Sequence, residues 1–274
     1  MCGRYAASRR PDRLIEEFHV DVDTTGDAAP PPDYNVAPTK PVMVVLERTA
    51  KPSADTTSEA SSAEAAATET EPVRQLRVVR WGLVPSWAKD PSIGSRMINA
   101  RAETAAIKPS YRRAFARRRC LIPADGFFEW QTPEADDPHA RRGASGKLLK
   151  QPYYAHPADG ASLPMAGLYE FWRDPTRPDD DADAWLVTCT VLTTDATDDF
   201  GHIHDRMPMV VPPDRWDAWL DPDLADTDQV GSLMVPASAL GLEIYPVSRK
   251  VNDVRNNGVH LIDRFDPENP GTGG

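Results

Sequence analysis

RRCLIPADGFFEW, residues 118–130, carries aliphatic and aromatic side chains almost without a break. Branched and aromatic residues fit a pleated, buried surface, so 120–130 predicts a strand-like segment. Comparable segments lie on both sides of it, at 42–47, 75–81, 153–156, 165–172, 185–193, 207–211 and 242–247. Helical signals are fewer. A short helix is predicted after Ser8 in the capping position, with Pro11 in its first turn and Leu14, Ile15 and Phe18 on one face; others are predicted at 102–118, 213–220 and about 224–234. Many strands with few helices between them predict an α+β fold, a single domain over 1–265 with a curved, largely antiparallel, barrel-like β-sheet core and a few peripheral helices.

Residues 49–72, TAKPSADTTSEASSAEAAATETEP, contain no aromatic and hardly an aliphatic side chain. Such a composition cannot bury enough surface to offset the entropy of ordering, so a disordered insertion within the domain is expected here. Polar loops are expected at 132–146 and 173–183, and a flexible tail at 266–274.

The 274 residues weigh 30.2 kDa and are 40% apolar, enough for a sizeable core. Apolar runs are short, 42–46 for example, and MCGRYAASRR has no apolar signal region, which predicts a cytoplasmic protein with no membrane partner. Cys2, Cys120 and Cys189 are an odd number with no CxxC pair, which supports neither a disulfide framework nor a cysteine zinc site.

Net charge is −11, unevenly spread: residues 74–119 hold 12 Lys or Arg against 2 acids, a local +10 that leaves −21 for the remainder. Arginine outnumbers lysine, and its planar fork matches phosphate. The wider excess of acids, mostly Asp, suggests a habitat in concentrated salt.

Cys2 follows the initiator methionine. If that methionine is removed, one residue carries both a thiol and an α-amine. The amine titrates near 7.7 to 8.0, so about a third of it is neutral at pH 7.5, against about one lysine in a thousand. After the amine condenses with an aldehyde, the thiol can close onto the same carbon as a five-membered thiazolidine, a step favoured by tethering. His202 and His204, two residues apart, fall on one face of a strand, but no neighbouring carboxylate or cysteine completes a metal site, so no metal and no cofactor is expected.

MCGRYA, YNVAPT, RWGLVPSWAKD, INARAET, RRCLIPADGFFEW, VLTTDA and HDRMPMVV occur in this order. Together they resemble the SRAP (SOS response-associated peptidase) family, whose known activity is capture of abasic sites in single-stranded DNA. The resemblance runs from Met1 to about Val251. It implies that Cys2 attacks the open abasic sugar and ends as a thiazolidine crosslink. Asn99 would hold the Cys2 main chain and the sugar. Glu129, kept near neutral pKa by aromatics such as Phe127, Phe128 and Trp130, would assist ring opening and proton transfer, and His204 would shuttle a proton. Arg4, Arg101 and Arg206 are assigned to flanking phosphates, Trp81, Trp87 and Trp130 to base stacking, and Pro38 to a wedge beside the lesion. Thr193 joins the DNA contacts, and Arg112, Arg113, Arg117, Arg118 and Arg119 extend the basic track.

The resemblance further implies a monomer that partners single-stranded DNA and joins the nucleoid on DNA damage, with lyase and thiol self-processing chemistry conceivable at the same residues. Two other classes fit Cys2: an amino-terminal nucleophile hydrolase or self-processing cysteine peptidase, and a non-catalytic single-strand binding module. The first has no use for a strongly basic segment. The second would tolerate loss of Cys2.

Overall fold

The computed structural model describes residues 2–49, 72–134 and 142–266. The expected insertion therefore lies outside the described residues except for its end positions, and so does the expected tail beyond Asp266.

Fourteen strands, counted among the described residues and numbered in chain order, form two sheets. The smaller runs Leu242–Pro246 (β14), Gln151–Pro157 (β9), Gly126–Gln131 (β8), Arg4–Ala7 (β1) and Asp33–Val36 (β3). The larger runs Val235–Pro236 (β13), Arg206–Val210 (β12), Leu163–Arg173 (β10), Arg119–Ala124 (β7), Pro41–Thr49 (β4), Pro72–Trp81 (β5), Trp185–Asp195 (β11) and Asn99–Arg101 (β6), with Val22–Asp23 (β2) beside β5. Because β11 also pairs with β10 and β12, the larger sheet curls back into a partial ring without becoming a closed barrel. Pairing is antiparallel apart from β5–β11, β6–β11 and β2–β5. The architecture is the expected α+β single domain.

Alternation fills both faces of the curled sheet. Val42, Val44 and Leu46 of β4 meet Val79, Trp81, Ile122 and Val191 inside it, while Met43 and Val45 meet the helices outside. Those helices are Pro11–Glu17 (α1), Ala102–Ala105 (α2), Arg112–Arg117 (α3), Trp216–Leu220 (α5) and Thr227–Ser232 (α6), whereas Asp198–Gly201 (α4) packs Phe200 into the inner cluster. Strands buried on both faces read as near-continuous apolar runs, which is why periodicity located them.

The segment at 120–130 is two strands in different sheets. The chain changes sheet at Asp125, whose N–H donates to Ala6 O at 2.7 Å and whose Oδ2 accepts from Ser8 N at 2.6 Å. At Gly126 a Cβ would stand 2.5 Å from Ala155 O, so only glycine lets β8 lie this close to β9. The predicted helix at 102–118 is broken into α2 and α3, since Pro109 cannot continue the ladder. Arg10, not Ser8, caps α1.

Candidate active site

Cys2 sits immediately before β1, which is clamped between β8 and β3, with Arg4 opposite Phe128 and Tyr5 opposite Phe127 and Val36. It is fully buried, and Asn99 Nδ2 donates to its carbonyl at 2.8 Å. Asn99 reaches it from β6, placed by the parallel pairing of Asn99 with Val191 and by Tyr111 Oη, which donates to Asn99 O at 3.4 Å. The Oδ1 of Asn99 is buried with no hydrogen-bond partner, an acceptor aimed at the Cys2 neighbourhood and free for a donor. Burial, and after it the Glu129 carboxylate, push the Cys2 thiol well above the ordinary thiol range, so it is protonated at neutral pH.

Glu129 enters from β8 on the same face as Phe127, which packs 5.4 Å from Phe200. Phe128 and Trp130 point to the opposite face, where Phe128 meets Tyr154 at 4.9 Å, so of the expected aromatic neighbours Phe127 is the one beside the carboxyl. At 2% exposure, desolvation raises the Glu129 pKa to about 7. His204 Nε2 stands 3.9 Å from Glu129 Oε2. Its Nδ1 accepts from Arg206 N at 3.0 Å, which leaves the neutral ring's proton on Nε2, toward Glu129. Asp205 Oδ1 is 2.8 Å from the same Nδ1, ready to take over that contact when the ring is protonated. Burial lowers the His204 pKa. His202 and His204 occupy the turn between α4 and β12, not a strand, because the α4 helix runs up to Gly201. Among the described residues no cluster of three His, Cys, Asp or Glu side chains could hold a metal.

These residues meet although 97 positions separate Cys2 from Asn99. The chain resembles known proteins along nearly its whole length. The SRAP family, described as SOS response associated peptidase, matches residues 1–254. The Abasic site processing protein YoqW of Bacillus subtilis is 35% identical, over 96% of this chain and 99% of that one. The chain belongs to the SRAP family. Abasic site processing protein HMCES of Gallus gallus is 32% identical over 94% of this chain and 76% of its own, and YedK of Escherichia coli, with the same descriptive name, is 29% identical over 96% and 99%. A crystal structure of a protein from Bacteroides thetaiotaomicron shares the fold, with a TM-score of 0.71 at 22% identity over 97% of this chain and 100% of that one.

Around this SRAP site the expected DNA contacts divide. Arg101, Arg112 and Arg113 are exposed, without a side-chain hydrogen bond or ion pair among the described residues, and Trp87 is 59% exposed. Pro38 is half-buried in the turn after β3, where Thr39 takes a left-handed φ of 73° and donates its N–H to Trp81 O at 2.8 Å, a strained turn of the kind kept at functional surfaces. Trp130 is half-buried, its Nε1 donating to Asn252 Oδ1 at 2.7 Å and Arg4 lying 5.8 Å from its ring.

Others turn inward. Trp81 is fully buried, its Nε1 donating to Ile98 O at 2.9 Å and its ring edge-on to Tyr5, so it has no face for a base and instead supports the strand that carries Asn99. Arg206 is buried, and its guanidinium is taken by Glu103, Asp195 and Thr193 O, a geometry that positions rather than grips. Thr193 is likewise buried under it. Arg4 Nη1 donates to Asn35 Oδ1 at 2.6 Å and Val251 O at 2.9 Å. Arg119 is also buried, bound to the Phe115, Ala116 and Trp219 carbonyls.

Sequence reasoning missed the supporting set: Asn35, Glu103, Tyr111 and Asp195. Glu103 lies inside INARAET, Asn35 inside YNVAPT and Asp195 inside VLTTDA, so the motifs contained three of them. Nothing in spacing marks Tyr111. The described residues include no helix long and apolar enough to cross a membrane.

Proposed function

We propose that this SRAP protein senses abasic sites in single-stranded DNA and captures them covalently through Cys2. The observation that carries the reading is the convergence on Cys2 of an amide that holds its main chain, a buried carboxyl titrating at about 7 and a histidine kept neutral by burial. The relatives named for abasic-site processing support the substrate class.

Removal of Met1 frees the Cys2 amine. Glu129 assists opening of the abasic sugar to its aldehyde. The amine nitrogen attacks C1′ and passes a proton to neutral His204, the oxygen leaves as water with a proton supplied by Glu129, and an imine forms. The thiol then adds to the same carbon; its proton passes to the ionised Glu129, the imine nitrogen gains one, and a thiazolidine closes with net loss of one water. Amine-first order follows from a thiol that burial holds protonated. The unpartnered Asn99 Oδ1 accepts from the sugar hydroxyl or the Cys2 amine. At the imine stage the carbon next to C1′ is acidified, which gives strand cleavage a route from the same intermediate.

Intact mass of the protein before and after incubation with an abasic oligonucleotide tests this. The expected product is the des-methionine chain plus the oligonucleotide less one water, stable to heat. Cys2→Ser should give only an imine that needs borohydride trapping. A heat-stable adduct from Cys2→Ala would exclude the mechanism.

A further inference from the structure

The end of the curled sheet away from Cys2 carries charge that the mechanism does not use. Arg48 continues the inward row of Val42, Val44 and Leu46 on β4, and Arg77 continues that of Val79 and Trp81 on β5. Trp81 is tied to Ile98, next to Asn99, so Arg77 lies four residues, about 13 Å, further along the strand from the Cys2 end. Tyr169 and Phe171 complete the row on β10, their rings 5.7 Å apart, and the Arg48 guanidinium lies 4.7 Å from the Phe171 ring centre.

Neither Arg48 nor Arg77 has a hydrogen bond or ion pair among the described side chains, and their like charges oppose each other: Arg77 is pulled below its ordinary pKa by burial and then by Arg48. The acids that border them are already occupied, Glu47 by Arg74 at 2.7 Å and Glu170 by Arg118 at 2.6 Å. Among the described residues neither of these two half-buried arginines has a free carboxylate beside it, which leaves both open to an anion.

A cleft of about 310 Å³ opens between Arg48, Arg117, Arg118, Tyr169, Phe171 and Pro222, with Glu47, already bound to Arg74, on its wall; Arg77 borders it, close enough for its charge to act on Arg48 and Tyr169. A second, of about 470 Å³, shares Arg117 and Arg118 and carries Arg112 and Arg113. The two adjoin along α3, whose preceding residue Tyr111 donates to Asn99 O. Arg112, Arg113, Arg117 and Arg48, unpaired among the described residues, and Arg118, paired with Glu170, thus line two clefts along α3 instead of converging on one point. A lone phosphate would fill one cleft; a chain of phosphates matches both.

We propose that the Arg48–Arg77–Arg117 mouth is a second nucleic-acid site, taking the phosphodiester backbone of a single strand several nucleotides from the point held at Cys2. Phe171 holds the planar Arg48 fork in one orientation, pre-organised for a phosphate. The path of the strand rests on the reading of Cys2 given above, whereas binding at this mouth does not.

The test uses full-length protein and undamaged oligothymidylates of about 6 and about 24 nucleotides, one near the lower limit of common single-strand site sizes and one beyond the upper. In Arg48→Gln/Arg77→Gln the longer strand should bind about tenfold more weakly, with a salt dependence shallower by about 1.4, or about 0.7 for each of two phosphates. Binding of the shorter strand should change less than about twofold, and Arg48→Lys/Arg77→Lys should restore most of the loss. Arg77→Gln alone, which disturbs no ring contact, covers the case in which the double variant fails to fold. Unchanged affinity for the longer strand, equal losses on both lengths, or tighter binding of a duplex of the same length would overturn the proposal. A wild-type protein with this length signature that forms no crosslink would overturn the Cys2 chemistry and support this site.

Discussion

The Cys2 end of the molecule and the far mouth of the curled sheet treat charge in opposite ways. At the Cys2 end burial removes it: Glu129 is pushed up to about 7, His204 is pushed down, and Arg4 and Arg206 are bound to protein acceptors. At the far end, Arg48 and Arg77 have no hydrogen-bond or ion-pair partner among the described residues. Proton transfer needs groups that change state near neutral pH, and retention of a polyanion needs groups that never do. The two sheets divide these tasks: β8 of the smaller carries Glu129, whereas β4 and β5 of the larger carry Arg48 and Arg77.

The largest effect expected is complete: Cys2→Ala should form no heat-stable adduct with an abasic oligonucleotide, while Arg48→Gln/Arg77→Gln retains the adduct on a short one. Mass spectrometry reads both, and an adduct lost only in the arginine variant would invert the assignment of the two ends.

Glu129→Gln should slow adduct formation by about 10² to 10⁴, the usual worth of a positioned acid or base, with affinity for intact strands within a few fold. A quench-flow rate less than tenfold below wild type would place the proton transfer elsewhere.

Stability should carry the same signature. The Glu129 pKa rises from an ordinary 4.5 to about 7 on folding, so the folded state binds the extra proton between these values. Its contribution is full below pH 4.5 and lost as pH rises through 7, by about 3 kcal/mol. Denaturant unfolding at pH 5 and pH 8 should show this loss in the wild type and not in Glu129→Gln; parallel pH profiles would refute the burial account.

Two arginines of the Cys2 end sharpen the contrast further. Arg206→Ala should destabilise the fold by about 2 kcal/mol, because it strips buried hydrogen bonds from Thr193 and Glu103, and it should leave the salt dependence of binding unchanged. Exposed Arg101→Ala should do the reverse, with melting unchanged, affinity for single strands down a few fold and the salt slope shallower by about 0.7. Calorimetry and salt titrations separate the two, and a flattened slope in Arg206→Ala would return that residue to the phosphate contacts.

Strand content and fold class were legible because the sheet is apolar on both faces, but sheet membership was not. Both halves of RRCLIPADGFFEW are apolar, so nothing in its pattern marks Asp125 as the point where the chain leaves one sheet for the other; that is decided by contacts with Ala6 and Ser8 more than a hundred residues away. Pro109 did mark a break, yet the helix-favouring residues around it hid the signal. At the site, ordered motifs brought out Cys2, Asn99, Glu129 and His204. They could not separate Trp81 from Trp87, two tryptophans of RWGLVPSW, since one continues the inward row of β5 and the other follows the strand's end. Nor could they separate Arg101 from Arg206, whose difference is the company of Glu103 and Asp195. Arg48 lies outside every motif, and its role became visible only from the register of β4.

The bond from Arg4 to the Val251 carbonyl ties the first strand to the far end of the domain, 247 residues on. During synthesis at about 5 to 20 residues per second, that acceptor emerges roughly 10 to 50 seconds after Arg4 does. The sheet partners of β1 and the Asn99 amide are complete by residue 131, so the Cys2 end can pair at mid-synthesis, and the Val251 carbonyl adds the last tie on Arg4 only as the domain is finished.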